Sequence, residues 1–245
     1  MQTNISSLDG KLILVTGAAR RIGRALAVAC ARAGADVIIH HAHSDEEAAE
    51  AQKEVSSLGR ESWVIYADFD SPAEAAKLVA EANKIRPLFA LVNSAAIFEN
   101  ISFQETSLES WERHLRINLT APFLLSQEFA KQVPENESAR IVNILDWRAL
   151  RPGVGHFPYT ISKAALAAMT QSLAAVLAPP ITVNGLALGA ILPPADQPAS
   201  DNLIKNVPAK KWGQLKDVED ALLFVLTNPY ITGEIIHVDG GRHLV

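Results

Sequence analysis

The sequence predicts a doubly wound α/β fold, a parallel β-sheet with helices on both of its faces. Three observations lead to this prediction. Short apolar runs alternate with longer helical patterns along all 245 residues, the first run leads into a glycine-containing turn, and no linker or repeat divides the chain. Repeated strand–helix alternation is typical of parallel sheets with right-handed crossovers. We therefore expect one domain over residues 1–245, with seven strands.

The predicted strands are short and rich in Val, Ile and Leu, whereas the predicted helices carry apolar residues at helical spacing. The first two helices are each followed by a glycine, Gly34 and Gly59, as is common where a helix ends. In chain order the strands are predicted at 11–15, 37–41, 62–67, 88–92, 140–145, 181–187 and 234–238, and the helices at 22–33, 45–58, 72–82, 107–133, 157–177 and 215–227.

One segment, residues 190–211, breaks this alternation, because it contains four prolines and no clear period. A long irregular segment in a compact domain is usually a lid or a binding loop. We expect a substrate-binding lid here, and a surface loop without function is the alternative.

The composition excludes several classes of protein. A net charge of −5 argues against nucleic acid as the main partner, since such binding depends on a basic surface. We expect no apolar run long enough to span a membrane, and the N-terminus lacks the pattern of a signal peptide. The single Cys30 cannot form an internal disulfide. Together these features favour a cytoplasmic globular protein.

The turn after the first strand is the first candidate binding site. In "LILVTGAARRIGRALA", residues 12–27, Gly17 permits a tight turn and Gly23 lets the helix pack close to the strand. Arg20, Arg21 and Ile22 lie where the free N–H groups of a helix N-terminus could bind a dinucleotide pyrophosphate. Arg21 replaces the glycine that is usual at its position. Ordinary turn chemistry is the alternative explanation of the two glycines.

The end of the second strand indicates which dinucleotide would bind. An acid there usually binds the ribose 2′-OH of NAD, whereas this strand ends in a histidine-rich segment from His40 to Ser44. Arg20 and Arg21 are close in sequence, so the pattern favours NADP(H), although Asp45 one residue further argues the other way. The histidines could instead form a solvated loop. Without an accompanying cluster of His or Cys, no metal site is predicted.

Two further strand ends supply weaker candidates for cofactor binding. Asp68 and Phe69 follow the third strand, where the carboxylate could accept a hydrogen bond from an adenine amino group or cap the next helix. Asn93 and Ala95 follow the fourth strand, where small side chains would let the backbone approach a flat ligand. A plain loop has the same composition.

The candidate reactive groups lie near the fifth strand. Asp146 ends that strand, Tyr159 follows thirteen residues later, and Lys163 is four residues further on the same helix face. A nearby ammonium group is expected to lower the pKa of the Tyr159 phenol and tune it as a general acid–base. The alternatives are a polar helix edge for the Tyr–Lys pair and a turn cap for Asp146.

These motifs resemble those of the short-chain dehydrogenase/reductase family over essentially the whole chain. The matching pieces are Thr16-Gly17 with Gly23, Asp68, Asn93-Ser94-Ala95, Asn118, Tyr159-x-x-x-Lys163 and Val238-Asp239-Gly240-Gly241. The resemblance implies a Rossmann-type fold, with Tyr159 as proton donor, Lys163 holding the nicotinamide ribose and lowering the Tyr159 pKa, and Asn118 anchoring a water relay. It also implies a homotetramer built on the helices at 107–133 and 157–177.

Within that family, the chain is more similar to pteridine reductases and bacterial dihydromonapterin reductases. The shared features are Thr-Gly-Ala-Ala-x-Arg-x-Gly at 16–23, the histidine-rich segment at 40–44, Phe98, Asp146 where most of the family has Ser, and the ending Gly240–Leu244. This resemblance implies that Arg21 contacts pyrophosphate and pterin, and that Phe98 sandwiches the pterin against the nicotinamide. It implies that Ser44, with His43 or Arg20, holds the 2′-phosphate.

Two departures bear on specificity. Ala96 replaces a substrate-side Ser, and Leu188-Gly189 replaces the Pro-Gly that follows the sixth strand, where Gly189 is expected to contact the cofactor.

A carboxylate at position 146 suits pterin reduction chemically. Hydride goes to the carbon of a ring C=N bond, the adjacent nitrogen needs a proton, and Asp146 can accept hydrogen bonds from the pterin's donors. Arg21 is expected to offset the Asp146 charge. One alternative is a reductase of a ketone or 3-oxoacyl substrate. A non-catalytic NADP(H)-binding regulatory protein is a second, disfavoured by the intact Asn118, Tyr159 and Lys163.

Overall fold

Seven parallel strands form one sheet in the computed structural model, which describes residues 8–193 and 200–245. The strands are β1 (Leu12–Val15), β2 (Asp36–His41), β3 (Ser62–Tyr66), β4 (Ala90–Asn93), β5 (Ala139–Asp146), β6 (Ile181–Leu188) and β7 (Ile235–Val238). Their order across the sheet is β3-β2-β1-β4-β5-β6-β7, and every neighbouring pair is parallel. The predicted seven-stranded, doubly wound fold is confirmed.

Helices cover both faces of this sheet. They are α1 (Arg21–Arg32), α2 (Asp45–Ser57), α3 (Pro72–Asn83), α4 (Leu108–Leu115), α5 (Ala121–Ala130), α6 (Phe157–Leu177) and α7 (Leu215–Thr227). Successive β1 side chains point to opposite faces, as the pleat of a strand requires. Ile13 and Val15 belong to the core beneath α1, α2 and α7, whereas Leu12 and Leu14 belong to the core beneath α3, α5 and α6. The central strands are therefore buried on both sides and mostly apolar.

The helix predicted over 107–133 is interrupted, which the periodicity did not indicate. A π-helical segment, Arg116–Thr120, separates α4 from α5, and α5 ends at Ala130. The sequence does hold one signal for the interruption. Pro122 has no N–H to donate to the carbonyl of Asn118, four residues earlier, so a regular α-helix cannot continue there. Segments of this kind are frequent at functional sites.

Helix α6 corrects the expectation that no segment reaches membrane-spanning length. By length and composition alone, Phe157–Leu177 is apolar enough to cross a membrane. It nevertheless packs on the sheet, where Tyr159, Lys163 and Leu166 are among its buried residues, and it is a core helix of the domain. Its apolar character therefore reflects burial against β5 and β6.

The loops at the carboxyl edge of the sheet are held by buried side-chain acceptors. The strand order reverses between β1 and β4, so the chain leaves these neighbouring strands in opposite directions. Thr16 Oγ1 accepts hydrogen bonds from the backbone N–H groups of Ser94 and Ala95, at 2.9 and 3.0 Å. This clip joins the turn after β1 to the loop after β4 and shapes the crevice between them.

His40 performs a similar task on the other side of β1. Its Nδ1 accepts from the N–H of Gly17 at 3.0 Å, so its Nε2, 2.9 Å from the Ala67 carbonyl oxygen, carries the proton and donates. The ring also stacks on Phe69 at 4.3 Å. Burial lowers the pKa of His40 to about 4, so the imidazole is neutral. It ties the turn after β1 to the end of β3.

We predict that His40 makes stability depend on pH. Because its pKa falls from 6.5 to about 4 on folding, its contribution is complete above pH 6.5 and is lost as the pH falls towards 4. At pH 7 His40→Asn is expected to cost roughly 2–4 kcal/mol in free energy of unfolding. The difference in free energy of unfolding between the wild type and His40→Asn should shrink by roughly 3 kcal/mol at pH 4. Urea unfolding at several pH values measures it.

The control for this prediction is His43→Asn, which changes an exposed histidine three residues away. Because this side chain is largely exposed, its replacement should change the free energy of unfolding only slightly over the same pH range. A His40→Asn gap that does not change with pH would mean that His40 is not the neutral anchor of the turn.

Candidate active site

A cleft of about 640 Å³ opens at the carboxyl ends of β1, β2, β3 and β4. Most of the predicted cofactor residues line it. They are Gly17, Arg20, Arg21, Ile22, Gly23, His40, Ser44, Asp68, Phe69 and Ala95, and Phe98 of the predicted substrate site lines it as well. The candidate residues were selected at four separate strand ends, and in the folded chain they line one crevice.

The turn after β1 leaves no room for side chains at its glycines. Gly17 has φ +64°, and a Cβ there would lie 2.9 Å from the Cα of Ala95. A Cβ on Gly23 would collide with the carbonyl oxygen of Gly17. The predicted tight turn at Gly17 is therefore confirmed, and Gly23 lets α1 pack directly against that turn. The narrow cradle at the N-terminus of α1 fits a dinucleotide pyrophosphate, because the backbone there can approach a ligand closely.

Arg21 adopts a backbone conformation that favours glycine. Its φ is +53°, which explains why a glycine is usual at this position and costs about 1 kcal/mol for other residues. Its Nη2 donates to the carbonyl oxygen of Pro193 at 2.5 Å. The side chain therefore reaches from the turn after β1 to the first part of the predicted lid. The expectation that Arg21 offsets the Asp146 charge is wrong for this conformation, because its guanidinium is bonded elsewhere.

The residues expected near a 2′-phosphate lie at the rim of the cleft. Ser44 precedes α2 and is buried, and its side chain makes no capping hydrogen bond to that helix. Arg20 lies 3.6 Å from Glu47 in an exposed ion pair, and His43 lies 3.5 Å from Asp68. Asp68 also accepts from the backbone N–H of Asp70 at 2.9 Å, which forms a local turn.

Two predicted cofactor residues have partners within the protein. The Asn93 amide donates to Asn143 at 2.8 Å, and Asn143 in turn donates to Thr170 of α6 at 2.9 Å. This buried ladder fixes α6 against β4 and β5. Gly189 lies so close to the residue that follows β7 that a Cβ would approach the Cα of Asp239 to 2.6 Å. A cofactor contact from either residue stays a prediction.

The three candidate reactive groups converge as expected. The hydroxyl of Tyr159 donates to Asp146 Oδ2 at 3.3 Å, which joins the start of α6 to the end of β5. Lys163 Nζ donates to the carbonyl oxygen of Ile144 at 2.7 Å. Tyr159 and Lys163 are both buried. The carboxylate, the phenol and the ammonium group therefore share one site beside the cleft.

Arg148 is a member of this site that sequence reasoning missed. Its backbone N–H donates to Asp146 Oδ1 at 2.8 Å, and its Nη1 lies 3.2 Å from each carboxylate oxygen. An arginine two residues after the acid was the available signal, because an Asp at a strand end commonly accepts from the N–H two residues on. Arg148, not Arg21, offsets the Asp146 charge.

Burial dominates the ionisation of the site. Loss of solvent raises the pKa of Tyr159 well above its ordinary value, and the adjacent Asp146 charge raises it further. The expectation that Lys163 lowers the pKa of this phenol is therefore not met in the structure. Burial lowers the pKa of Lys163 itself to about 8. At neutral pH Tyr159 is a protonated phenol, which suits a proton donor.

Asn118 connects the π-helical segment to the rest of the site. Its Oδ1 accepts from the N–H of Ile97 at 2.9 Å, and its Nδ2 donates to the Ile97 carbonyl and the Ser162 hydroxyl. Ser162 donates to the carbonyl oxygen of Tyr159 at 2.7 Å. Asn118 thus positions the loop after β4 relative to α6. Its role in a water relay stays a prediction.

Phe98 forms a wall of the cleft beside Tyr159. The two rings meet edge to face at 4.7 Å between centroids, and Phe98 also stacks on His156 at 4.1 Å. Sequence reasoning missed His156, which precedes α6 and whose Nδ1 donates a hydrogen bond to the Glu99 carbonyl oxygen at 3.1 Å. Phe98 remains 43% exposed, so its ring is accessible to a flat ligand.

Comparisons with known proteins agree with this geometry. The family model described as enoyl-(acyl carrier protein) reductase matches residues 17–243. The 3-oxoacyl-[acyl-carrier-protein] reductase FabG of Aquifex aeolicus is 34% identical over 242 residues, which cover 96% of this chain and 98% of that protein. The corresponding reductase of Synechocystis is 30% identical over 243 residues, covering 97% and 98%.

Solved structures with the same fold include enzymes bound to NADP. FolM alternative dihydrofolate reductase 1 from Brucella canis, complexed with NADP, superposes with a TM-score of 0.89 at 33% identity, covering 96% of this chain and 95% of that one. A short-chain dehydrogenase from Burkholderia cenocepacia in complex with NADP gives 0.90 at 34% identity, covering 96% and 98%. The chain therefore belongs to the short-chain dehydrogenase/reductase family and is an NAD(P)-dependent oxidoreductase.

Proposed function

We propose that this enzyme reduces a dihydropterin to a tetrahydropterin with NADPH. The observation that carries the proposal is the Asp146 carboxylate, whose Oδ2 lies 3.3 Å from the Tyr159 hydroxyl. Most of the family has a serine at this position. A carboxylate only accepts hydrogen bonds at neutral pH, so it favours a substrate that presents N–H donors. The edge of a pterin ring presents such donors.

The chain's own groups can deliver the proton that this reaction needs. When bound, NADPH supplies the hydride that reduces a ring carbon. The Tyr159 proton points at Asp146 Oδ2. A substrate N–H that donates to the same oxygen would take the place of that hydrogen bond, and the Tyr159 proton would then be free to reach the adjacent ring nitrogen. Because the pKa of Lys163 is about 8, its ammonium form prevails at pH 7 and can hold the nicotinamide ribose.

Phe98 and Arg21 would complete the pterin site. The exposed Phe98 ring, edge to face with Tyr159, offers an apolar surface on which a planar ring can stack against the nicotinamide. Arg21 lines the cleft between the turn after β1 and Pro193. We propose that it contacts both pyrophosphate and pterin. The lid proposed over 190–211 would close this side, although its residues 194–199 lie outside the described part of the chain.

A 3-oxoacyl reductase is the second candidate function. It is supported by the 3-oxoacyl reductases of Synechocystis and Aquifex aeolicus, which are 30% and 34% identical to this chain. The Brucella canis neighbour, an alternative dihydrofolate reductase by name, is similarly related at 33%. The site favours the pterin, because carbonyl reduction develops negative charge on oxygen and Asp146 would oppose that charge.

We propose NADP(H) as the cofactor, with the 2′-phosphate bound at the start of α2. Ser44 and the exposed Arg20 and His43 lie at this rim of the cleft, and a helix N-terminus favours anions. The neighbours that bind NADP support the choice. Asp45 and the other two acids in the first turn of α2 oppose it, so the donors named here must outweigh them.

We further propose a cytoplasmic homotetramer built on the α4–α5 segment and α6. Leu125 and Phe129 of α5 face the protein's own core. By contrast, Phe123 of α5 is 42% exposed and Val176 of α6 is 75% exposed. Apolar side chains left exposed on core helices are typical of subunit interfaces.

Turnover by substrate class tests the proposed function. NADPH oxidation by the purified enzyme should be measured with 7,8-dihydrobiopterin, dihydromonapterin, dihydrofolate, a 3-oxoacyl ester and simple ketones. We expect kcat/KM for at least one dihydropterin to exceed that for every carbonyl substrate by roughly 100-fold, about 2.7 kcal/mol of transition-state stabilisation. Preferential reduction of the 3-oxoacyl ester would establish the second candidate instead.

Replacement of the carboxylate tests the observation behind the proposal. Asp146→Ser removes hydrogen bonds to a charged group, so kcat/KM for the dihydropterin should fall roughly 10- to 100-fold. The Kd of NADPH should not change, because the carboxylate lies beyond the residues that line the cofactor cleft. If Asp146→Ser left dihydropterin turnover unchanged, Asp146 would have no part in the reaction.

Cofactor choice is tested by a new charge beside the proposed phosphate site. Ser44→Asp should raise the Kd of NADPH roughly 10-fold or more while leaving that of NADH similar, because a carboxylate would repel the 2′-phosphate. Ser57→Asp is the matched control on the same helix. It lies thirteen residues further along α2, roughly 20 Å away and beyond a Debye length of about 10 Å. If Ser44→Asp raised the Kd values of NADPH and NADH equally, the 2′-phosphate would have to bind elsewhere.

A further inference from the structure

The two oxygens of the Asp146 carboxylate have different partners. Oδ1 accepts from the backbone N–H of Arg148 at 2.8 Å and from its Nη1 at 3.2 Å. Oδ2 accepts from the same Nη1 at 3.2 Å and from the Tyr159 hydroxyl at 3.3 Å. Arg148 therefore occupies one oxygen with two donors and shares the other with Tyr159.

The Arg148 guanidinium is confined between aromatic rings. It lies 4.9 Å from the centroid of Trp147 and 5.7 Å from that of Phe98, and its side chain is 19% exposed. Arg242 lies 4.3 Å from the same Trp147 ring and donates to the carbonyl oxygen of Leu203. Packing against aromatic faces restricts where a guanidinium can go.

Other basic side chains near Asp146 make no hydrogen bond to it within residues 8–193 and 200–245. Lys163 is bonded to Ile144 and Arg242 to Leu203, while His156 is bonded to Glu99. The Asp146 side chain is only 14% exposed, so its charge needs a partner. Arg148 is the cation that supplies it.

We propose that Arg148 is a positioning residue, which fixes the rotation of the Asp146 carboxylate so that Oδ2 faces Tyr159 and can accept from a substrate N–H donor. This inference rests on the proposed function, because it assigns the part played by one oxygen in that site. Without the side chain, the backbone N–H of Arg148 would still hold one carboxylate oxygen. The second oxygen could then turn away from Tyr159, and the buried charge would lose its cation.

A double-mutant cycle tests whether Arg148 acts through Asp146. The variants are Arg148→Met, Asp146→Asn and the pair together, assayed with the dihydropterin that the wild type reduces best. Arg148→Met alone should lower kcat/KM roughly 10- to 100-fold, mainly through kcat. In the Asp146→Asn background, the same change should cost less than about threefold, because the charge that it positions is gone. Equal losses in both backgrounds would overturn the proposal.

Two further variants distinguish positioning from folding. Arg148→Lys keeps the positive charge but loses the planar guanidinium that packs on Trp147 and Phe98, so it should recover only part of the activity lost in Arg148→Met. Arg151→Met is the matched control, an exposed arginine three residues along the chain that should retain wild-type kcat/KM. All variants should bind NADPH with the wild-type Kd. Loss of NADPH binding in Arg148→Met would indicate a structural role and contradict the inference.

The wild-type enzyme separates this inference from the proposed function. If the wild type reduces a dihydropterin and Arg148→Met reduces it equally well, only the role of Arg148 is wrong. If the wild type reduces no pterin in the panel, the proposed function fails, and the role assigned to Oδ2 fails with it.

Discussion

The structure depends on side chains that hydrogen-bond to backbone groups where the chain leaves the carboxyl edge of the sheet. Parallel strands satisfy their own backbones, but the loops beyond them cannot, and a buried unpaired N–H is costly. Thr16, His40 and Asn118 each accept a hydrogen bond from such a loop. These three contacts fix the turn after β1 and the loop after β4, and the cofactor cleft is the space between those segments.

Burial also governs the chemistry of the reactive groups. The same loss of solvent that raises the pKa of Tyr159 lowers that of Lys163, since each group loses hydration of its charged form. Tyr159 therefore holds its proton at neutral pH, and the adjacent carboxylate disfavours the phenolate that remains after proton transfer. The pair formed by Asp146 and Arg148 lets a carboxylate persist in this setting, because its charge is offset at 3.2 Å.

Sequence patterns predicted the regular elements well and their irregularities poorly. All seven strands were found because strands of a parallel sheet are rich in Val, Ile and Leu. The π-helical segment around Asn118 was missed because a single widened turn barely changes a period of 3.6, although Pro122 marked it. Arg21 was noted as replacing a glycine, but its left-handed backbone became evident only in the folded chain.

By itself, the sequence determined the sheet, the glycine turn and the presence of Asp146, Tyr159 and Lys163 in one site. These follow from local periodicity and from the rule that carboxyl ends of parallel strands meet at one edge. Only the tertiary structure decided the partners of the charges: Arg148 rather than Arg21 binds Asp146, and Arg21 reaches Pro193. A long side chain has many rotamers, and the packing around it, including Phe98 and Trp147, selects one.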